Sequence, residues 1–185
     1  MSGSDRSGEA GFVMARGVVA ATGVFTALVM TTGCSGSDAK REYDVPRALC
    51  GVPLDPGLVS PLLPAGKEIK VGKARPVPSR ENCRVDVDGH WAMTLNLEWW
   101  EKDVAGTLVA SGNPQLERTR LSPDGNYYSG TGAVTLVQGC TNPAHAGQSL
   151  YTSSQISDPE IGDTTAMKKL ATAFTEAVGR SAECP

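Results

Sequence analysis

The chain has 185 residues, a formal net charge of −3 and five cysteines. Binding to nucleic acid requires a concentrated basic surface, so this slightly acidic balance argues against a nucleic-acid partner. About 150 residues follow the apolar N-terminal segment described next, which is enough for one domain with a hydrophobic core.

The N-terminal stretch has the pattern of a secretory signal. Arg16 is followed by an uncharged, largely apolar run over residues 17–30, which leads into Thr31-Thr32-Gly33-Cys34. A cleavable signal needs a positive start, an apolar centre and small residues before the cut. The run is too short and too rich in Gly and Thr to favour a permanent span of a bilayer about 30 Å thick. We therefore expect residues 1–33 to be a signal peptide.

Met14 is an alternative start of this signal. Asp5 and Glu9 offset the basic residues that precede the apolar run, although this region of a signal should be positive. A start at Met14 leaves Arg16 as the only charged residue before the run. Either start predicts the same cleavage, immediately before Cys34.

The end of the stretch resembles the lipobox of bacterial lipoproteins, in which small residues precede a lipidated cysteine. Thr31 stands where Leu is usual, and the next three positions fit the pattern. The resemblance implies that Cys34 carries a diacylglyceryl group and attaches the chain to the cytoplasmic membrane on its extracytoplasmic face. Residues 34–45 are then a polar tether, and residues 46–185 form a single extracytoplasmic domain.

Four cysteines remain when Cys34 is assigned to the anchor: Cys50, Cys83, Cys140 and Cys184. An even number in an exported domain predicts two disulfides, with three possible connectivities. We favour Cys50 with Cys83 and Cys140 with Cys184, because each pair ties an irregular or terminal segment to a predicted strand end. The spacing between the four does not fit a structural zinc site or a Cys-x-x-Cys redox motif, so we predict neither a metal nor a cofactor.

The first part of the domain is predicted to contain short elements. Residues 46–50 and 56–63 have the pattern of short helical turns, and Asp55 is a suitable N-cap for the second. Residues 68–72 are a possible short strand, and two prolines predict a loop over residues 74–80.

Residues 83–101 have the clearest pattern, that of a β-hairpin with its turn at Asp88-Gly89. A loop with an odd number of residues, most simply three, keeps the apolar residues on one face and sets Val85 across from Trp91 or Met93. Gly89 then takes the left-handed conformation. The apolar set is Cys83, Val85, Val87, Trp91, Met93, Leu95, Leu97 and Trp99.

The rest of the chain predicts further strands and a terminal helix. Residues 107–111, 127–138 and 149–156 are strand candidates. A helix is expected at about 164–180, with Asp163 as its N-cap and one apolar stripe. The predicted fold class is therefore α+β: an antiparallel sheet of about five strands, the C-terminal helix packed on one face, and two disulfides.

The polar face of the hairpin carries the candidate binding residues Asp86, Glu98 and Trp100. An aromatic ring among carboxylates could stack on a sugar and hydrogen-bond it, or hold a cationic peptide. A solvated sheet face with one covered Trp is the simpler interpretation, and we favour it.

The candidate catalytic residues of the sequence do not form a known catalytic motif. Glu98 and Glu101 lie three residues apart on one strand and so point to opposite faces, which does not suit a glycosidase pair. His90 and His145 fall in predicted loops without a second ligand at motif spacing. The sequence contains neither a Gly-x-Ser-x-Gly nucleophile motif nor a P-loop. We therefore assign no catalytic residue, and a noncatalytic protein is favoured.

The whole arrangement resembles the small lipoproteins of high-GC actinobacteria: a lipobox, a polar tether, an early cysteine, a cysteine that opens a Trp-bearing hairpin, and a helix that ends at Cys184-Pro185. The resemblance implies a lipid-anchored protein of the cell envelope without a defined activity. We expect a noncatalytic module that binds a protein or a cell-envelope ligand. An envelope enzyme acting on glycan or peptide and an accessory subunit of a transporter or sensor are the alternatives.

Overall fold

The computed structural model describes residues 40–113, 116, 120–123 and 125–185. The predicted signal peptide, the lipobox cysteine Cys34 and the first part of the tether lie outside these residues. The helices and strands of the described part are, in chain order, β1 (Ala48–Leu49), β2 (Val52–Pro53), α1 (Pro56–Val59), β3 (Ile69–Val77), β4 (Arg80–Val87), β5 (His90–Glu101), α2 (Gly106–Ser111), β6 (Arg120–Leu121), β7 (Tyr127–Tyr128), β8 (Gly132–Leu136), β9 (Gln148–Ile156) and α3 (Thr164–Gly179).

The central feature is one antiparallel sheet with the strand order β3-β4-β5-β9-β8-β7-β6. Five of its strands have five or more residues, and β6 and β7 have two each. Strands β1 and β2 form a separate two-stranded pair. The predicted α+β class with about five main strands is confirmed.

The helix α3 covers one face of this sheet. The Asp163 carboxylate accepts a hydrogen bond from the Ala166 N–H at 2.6 Å, which is the predicted N-cap. The buried side of the helix follows the predicted apolar stripe, and Phe174 is 2% exposed. It packs into the main hydrophobic core together with apolar side chains from β4, β5 and β9. The buried residues of α3 are Met167, Leu170, Ala171, Phe174 and Val178.

Both predicted disulfides are present, with Cα–Cα distances of 5.7 Å for Cys50–Cys83 and 5.0 Å for Cys140–Cys184. Cys50 lies in the two-residue turn between β1 and β2, so its bond fastens that hairpin to β4. Cys184 follows α3, and its bond holds the C-terminal segment against the loop after β8. The first bridge ends in a strand, as predicted, and the second ends in the loop that follows one.

The turn of the β4–β5 hairpin differs from the prediction. Its loop has two residues, Asp88 and Gly89, and both have positive φ angles, of 51° and 79°. This is the type I′ geometry that suits the twist of a hairpin, and Asp-Gly is one of its preferred sequences. The predicted three-residue loop is therefore wrong, although the left-handed conformation of Gly89 is confirmed.

A β-bulge restores the alignment that the longer loop was expected to provide. The register shifts in β5, so that Asp86 pairs with Trp91 while Val85 pairs with Met93, one of its two predicted partners. Ala92 is the extra residue. Beyond it the predicted apolar residues of β5 face the core, whereas Trp91 joins the polar face of the sheet.

Three other predictions are corrected. Residues 107–111 form helix α2 instead of a strand, because Val109 and Ala110 pack together into a second hydrophobic cluster. Residues 74–77 continue β3 because this strand lies at the sheet edge, where Pro76 can replace an N–H without breaking the ladder. The segment 46–50 contains strand β1 in place of a helical turn.

Candidate functional site

The structure brings two of the three predicted binding residues together. The Trp100 indole N–H donates to Glu98 Oε2 at 3.3 Å. Asp86 pairs with Trp91 near the turn, whereas Glu98 pairs with Arg80 at the other end of β4. At about 3.3 Å per strand residue, Asp86 and Glu98 are roughly 20 Å apart. The three residues therefore do not form one site, and the two carboxylates are too distant to act as a glycosidase pair.

Both carboxylates are already neutralised by an arginine. Glu98 is 9% exposed and accepts hydrogen bonds from Arg80 Nη2 at 2.8 Å and from the Ser153 hydroxyl at 3.3 Å. Asp86 accepts one from Arg84 Nε at 2.8 Å. A cationic peptide would have to displace these arginines, so the face offers it little free negative charge.

The amide oxygens at the centre of the polar face are buried and inaccessible to a ligand. Asn82 and Asn96 are cross-strand neighbours, and Asn96 donates to the Ser153 hydroxyl at 2.9 Å. The Oδ1 atoms of both Asn residues are enclosed and have no hydrogen-bond partner among the described residues. A ligand that lies on the surface of this face cannot reach them.

The tryptophans at the two ends of this face are also engaged. Trp100 is half-buried against the second hydrophobic cluster, to which α2 contributes. Trp91 is half-buried and donates to the Thr94 hydroxyl at 2.8 Å. Trp91 was predicted in the core because the bulge was not predicted. The Asp-Gly pair was the available signal, since a two-residue loop pairs Val87 with His90 and sets Trp91 beside Asp86.

A better organised group surrounds His145, at the end of the sheet where β5 ends and β9 begins. The imidazole stacks on the Trp99 indole, with 4.5 Å between ring centroids and 6° between ring planes. Its Nδ1 lies 3.0 Å from Gln148 Oε1. Gln148 Nε2 in turn donates to Glu101 Oε1 at 3.3 Å. Trp99 therefore holds the imidazole by one ring face and Gln148 holds it by one nitrogen, while Glu101 fixes Gln148.

The order of these contacts determines which nitrogen of His145 carries the proton. The Glu101 carboxylate can only accept hydrogen bonds, so Gln148 directs its NH₂ group to Glu101 and its oxygen to His145. That oxygen requires a donor, which assigns the hydrogen to Nδ1. In the neutral imidazole Nε2 is then an acceptor. The neighbours of His145, which no sequence motif marked, thus assign the tautomer of its neutral imidazole.

Local sequence explains the position of His145. Asn142 caps a short 3-10 turn by accepting from the Ala144 N–H at 2.9 Å, and Pro143 starts the turn that His145 ends. Gly147 has a φ of 79°, which lets the chain turn into β9 directly afterwards. Only the Asn-Pro pair was visible as a turn signal. The stacking on Trp99 depends on the sheet and could not be read from spacing.

His145 lines a cavity of about 580 Å³, together with Lys102 and residues 136–143 and 146–149. Small-ligand sites typically occupy roughly 300–1,000 Å³. Lys102 is the only charged residue of the described chain that lines it. The cavity therefore combines apolar side chains, backbone groups, neutral polar side chains, one cation and one oriented imidazole.

Glu81 is a second buried carboxylate, and its surroundings indicate a structural role. It is 6% exposed and lies 2.6 Å from Lys73 Nζ and 2.7 Å from Arg75 Nη2. Burial raises the pKa of Glu81, but the hydrogen bonds and charges of Arg75 and Lys73 outweigh that effect, so its net pKa is lowered. Arg75 also pairs with Glu183 at 3.3 Å, which links β3, β4 and the C-terminal segment.

Comparisons with known proteins give no further guidance. No family model matches the chain, and no match was found among curated proteins or among solved structures. Within the described part of the chain, no three His, Cys, Asp or Glu residues are grouped closely enough to hold a metal ion. None of the described helices has the length and apolar character needed to cross a membrane.

Proposed function

We propose that the chain is a lipid-anchored, extracytoplasmic lipoprotein whose domain is a noncatalytic binding module for a cell-envelope ligand. The domain would stand above the outer face of the cytoplasmic membrane on the tether 34–45, with Cys34 carrying the lipid. The binding site would be the cavity beside His145.

The anchor is supported by the cysteine pairing. Cys50, Cys83, Cys140 and Cys184 are consumed by two disulfides, which is typical of exported proteins. This pairing leaves Cys34 as the one cysteine available for a lipid, at the position where the lipobox pattern requires it.

The oriented imidazole in the cavity carries the binding proposal. His145 is held by Trp99 and Gln148 and opens onto a space of ligand size. The noncatalytic character is supported by the distance between Asp86 and Glu98 and by their pairing with arginines. An enzyme of the glycosidase type would need two carboxylates close to the scissile bond.

The anchor is tested by partitioning the full-length protein between detergent and water after expression in a bacterial host that processes lipoproteins. We expect the wild type in the detergent phase, with an intact mass that shows cleavage before Cys34 and an added diacylglyceryl group. The Cys34→Ala variant should lack that mass. A Cys34→Ala variant that is still lipidated would disprove the assignment.

Binding is tested by retention of the detergent-solubilised protein on isolated cell-wall material. Retention should fall in His145→Ala and persist in Trp100→Phe, which alters the polar face and leaves the cavity intact. The opposite pattern would assign binding to the polar face. Release of soluble sugar or peptide fragments by the wild type would instead favour an envelope enzyme.

A further inference from the structure

The charge of the His145 cavity selects the kind of ligand that it can take. Lys102, exposed at the end of β5, is the only charged residue lining it within the described chain, and the Glu101 carboxylate, which accepts from Gln148, does not line the cavity. An ammonium that faces an otherwise neutral cavity favours an anionic group over a cationic one. The ligand is therefore expected to carry negative charge at the position nearest Lys102.

A single ammonium suits a carboxylate better than a phosphate. Phosphate sites usually combine arginine forks or several backbone N–H groups at a long helix N-terminus with the cation. The described lining contains no arginine, and the short 3-10 turn at Pro143–His145 does not provide such a terminus. A carboxylate, with one negative charge, matches Lys102 more closely.

The second requirement comes from the imidazole. Because Nδ1 of His145 donates to Gln148, its Nε2 accepts, and the described residues supply no donor to it. Neutral hydroxyl and amide side chains such as Gln138, Thr141 and Ser149 also line the cavity, beside apolar ones such as Leu136 and Val137 that can pack against the carbon atoms of a sugar ring. A ligand hydroxyl group can donate a hydrogen bond to Nε2. Other ligand hydroxyl groups can donate to, or accept from, the hydroxyl and amide side chains of the lining.

We infer that the cavity beside His145 binds a small ligand that carries one carboxylate and several hydroxyl groups, of the chemical class of a sugar acid. The carboxylate lies toward Lys102, and one hydroxyl donates to His145 Nε2. Trp99 and Gln148 act as positioning residues, since they orient the imidazole. This inference rests on the proposed binding function and specifies the ligand for the same cavity.

The test is a set of calorimetric titrations of the full-length protein in detergent with glucuronate, glucose and glucose 6-phosphate. We expect glucuronate to bind at least about tenfold more tightly than glucose, the usual effect of one hydrogen bond to a charged group. Lys102→Gln should remove that preference by weakening the binding of glucuronate to about the level of glucose. Lys169→Gln, which alters an exposed lysine of α3, is the matched control.

Two variants test the acceptor role of His145. His145→Ala should weaken binding of both glucuronate and glucose, and His145→Gln should restore part of it because its amide oxygen can accept. Far-UV circular dichroism checks that both are folded. In the wild type, ¹⁵N spectra of the imidazole should show an unprotonated Nε2 and a protonated Nδ1, and Gln148→Leu should alter that pattern. A protonated Nε2 in the neutral imidazole would overturn the argument.

The outcomes separate this inference from the proposed function. Tighter binding of glucose 6-phosphate than of glucuronate would replace the carboxylate with a phosphate and overturn the inference. Equal affinity for glucuronate and glucose, or an unchanged preference in Lys102→Gln, would also overturn it. If none of the three sugars binds but the protein is still retained on cell-wall material through His145, the ligand class is wrong and the binding function stands. If retention is absent as well, both fail.

Discussion

Removal of the two disulfides tests how the domain is held together. The loops that they close, 50–83 and 140–184, span sequence separations of 33 and 44 residues and do not overlap. The perturbations are the double substitutions Cys50→Ala with Cys83→Ala, and Cys140→Ala with Cys184→Ala. Alanine avoids placing a hydroxyl in the core, where Cys83 is 5% exposed.

The expected cost follows from the loop lengths. In the chain-entropy model, each disulfide that closes a loop of this size reduces the entropy of the unfolded chain, which stabilises the folded domain by about 4 kcal/mol at 25 °C. The logarithmic dependence makes the two costs differ by only about 0.3 kcal/mol. Because the loops are separate, their effects should add, to about 8 kcal/mol in the variant that lacks all four cysteines. Domains are typically stable by only about 5–15 kcal/mol, so that variant should lose about half or more of its unfolding free energy.

The assay is urea unfolding followed by tryptophan fluorescence on the detergent-solubilised protein. With a slope of about 2 kcal/mol per molar urea, each missing bridge should lower the midpoint by about 2 M. Cys34→Ala is the matched control and should leave the midpoint unchanged, since Cys34 is not part of either bridge. Loss of less than about 1 kcal/mol in either variant, or a combined variant no less stable than the single ones, would refute the reasoning.

Three further predictions concern the same unfolding free energy. Glu81→Gln should lower the unfolding free energy by about 1–3 kcal/mol at pH 7. Because the pKa of Glu81 is lowered on folding, the stability that it contributes is present above its unfolded pKa of about 4.3 and is lost as the pH falls through its folded pKa. The variant should therefore lose less stability than the wild type on acidification. Glu68→Gln, in an exposed pair with Lys70, is the control, and equal acid profiles of Glu81→Gln and the wild type would contradict the prediction. Phe174→Ala should cost about 3–5 kcal/mol because it leaves a cavity under α3. Thr172→Ala, at an exposed position of the same helix, is the control and should change stability by less than about 0.5 kcal/mol. Similar losses in both variants would argue against the packing of Phe174 in the core. Gly89→Ala should cost about 1 kcal/mol because its φ is 79°, and Gly72→Ala, which also enters open space but without a positive φ, should be close to neutral.

The elements predicted correctly are those whose signals are local. Helix α3 has an N-cap, an apolar stripe and a length that leave few alternatives, and its observed start at Thr164 agrees with them. The cysteine pairs could be favoured because each joined a segment without regular structure to a strand end. Helix α2 was missed because its apolar residues also fit a strand. Its helical state depends on packing with Tyr127, Val134 and Tyr151, which are distant in sequence.

The candidate site was harder to predict because its members are ordinary residues. A histidine, a glutamine and a glutamate without motif spacing carry no signal of their own. They meet because Glu101 pairs with Gln148 across β5 and β9, and the turn that precedes β9 then brings His145 over Trp99. The pairing of β5 with β9 skips the segments between them, so it could not be inferred from a local pattern. Conversely, Asp86, Glu98 and Trp100 were prominent in the sequence but are engaged by Arg84, by Arg80 and by the second hydrophobic cluster.

The bulge at Ala92 links the hairpin turn to the candidate site. A regular ladder from the two-residue turn would continue the pairing of Val87 with His90 and put the even-numbered residues of β5 on the core face. Glu98 and Trp100 would then face α3, which would bury a charge in the core. The extra residue reverses the alternation, so Trp99 and Glu101 lie on the core side, where one stacks on His145 and the other accepts from Gln148. The orientation of the imidazole in the cavity therefore depends on one residue inserted in the strand at its opposite end.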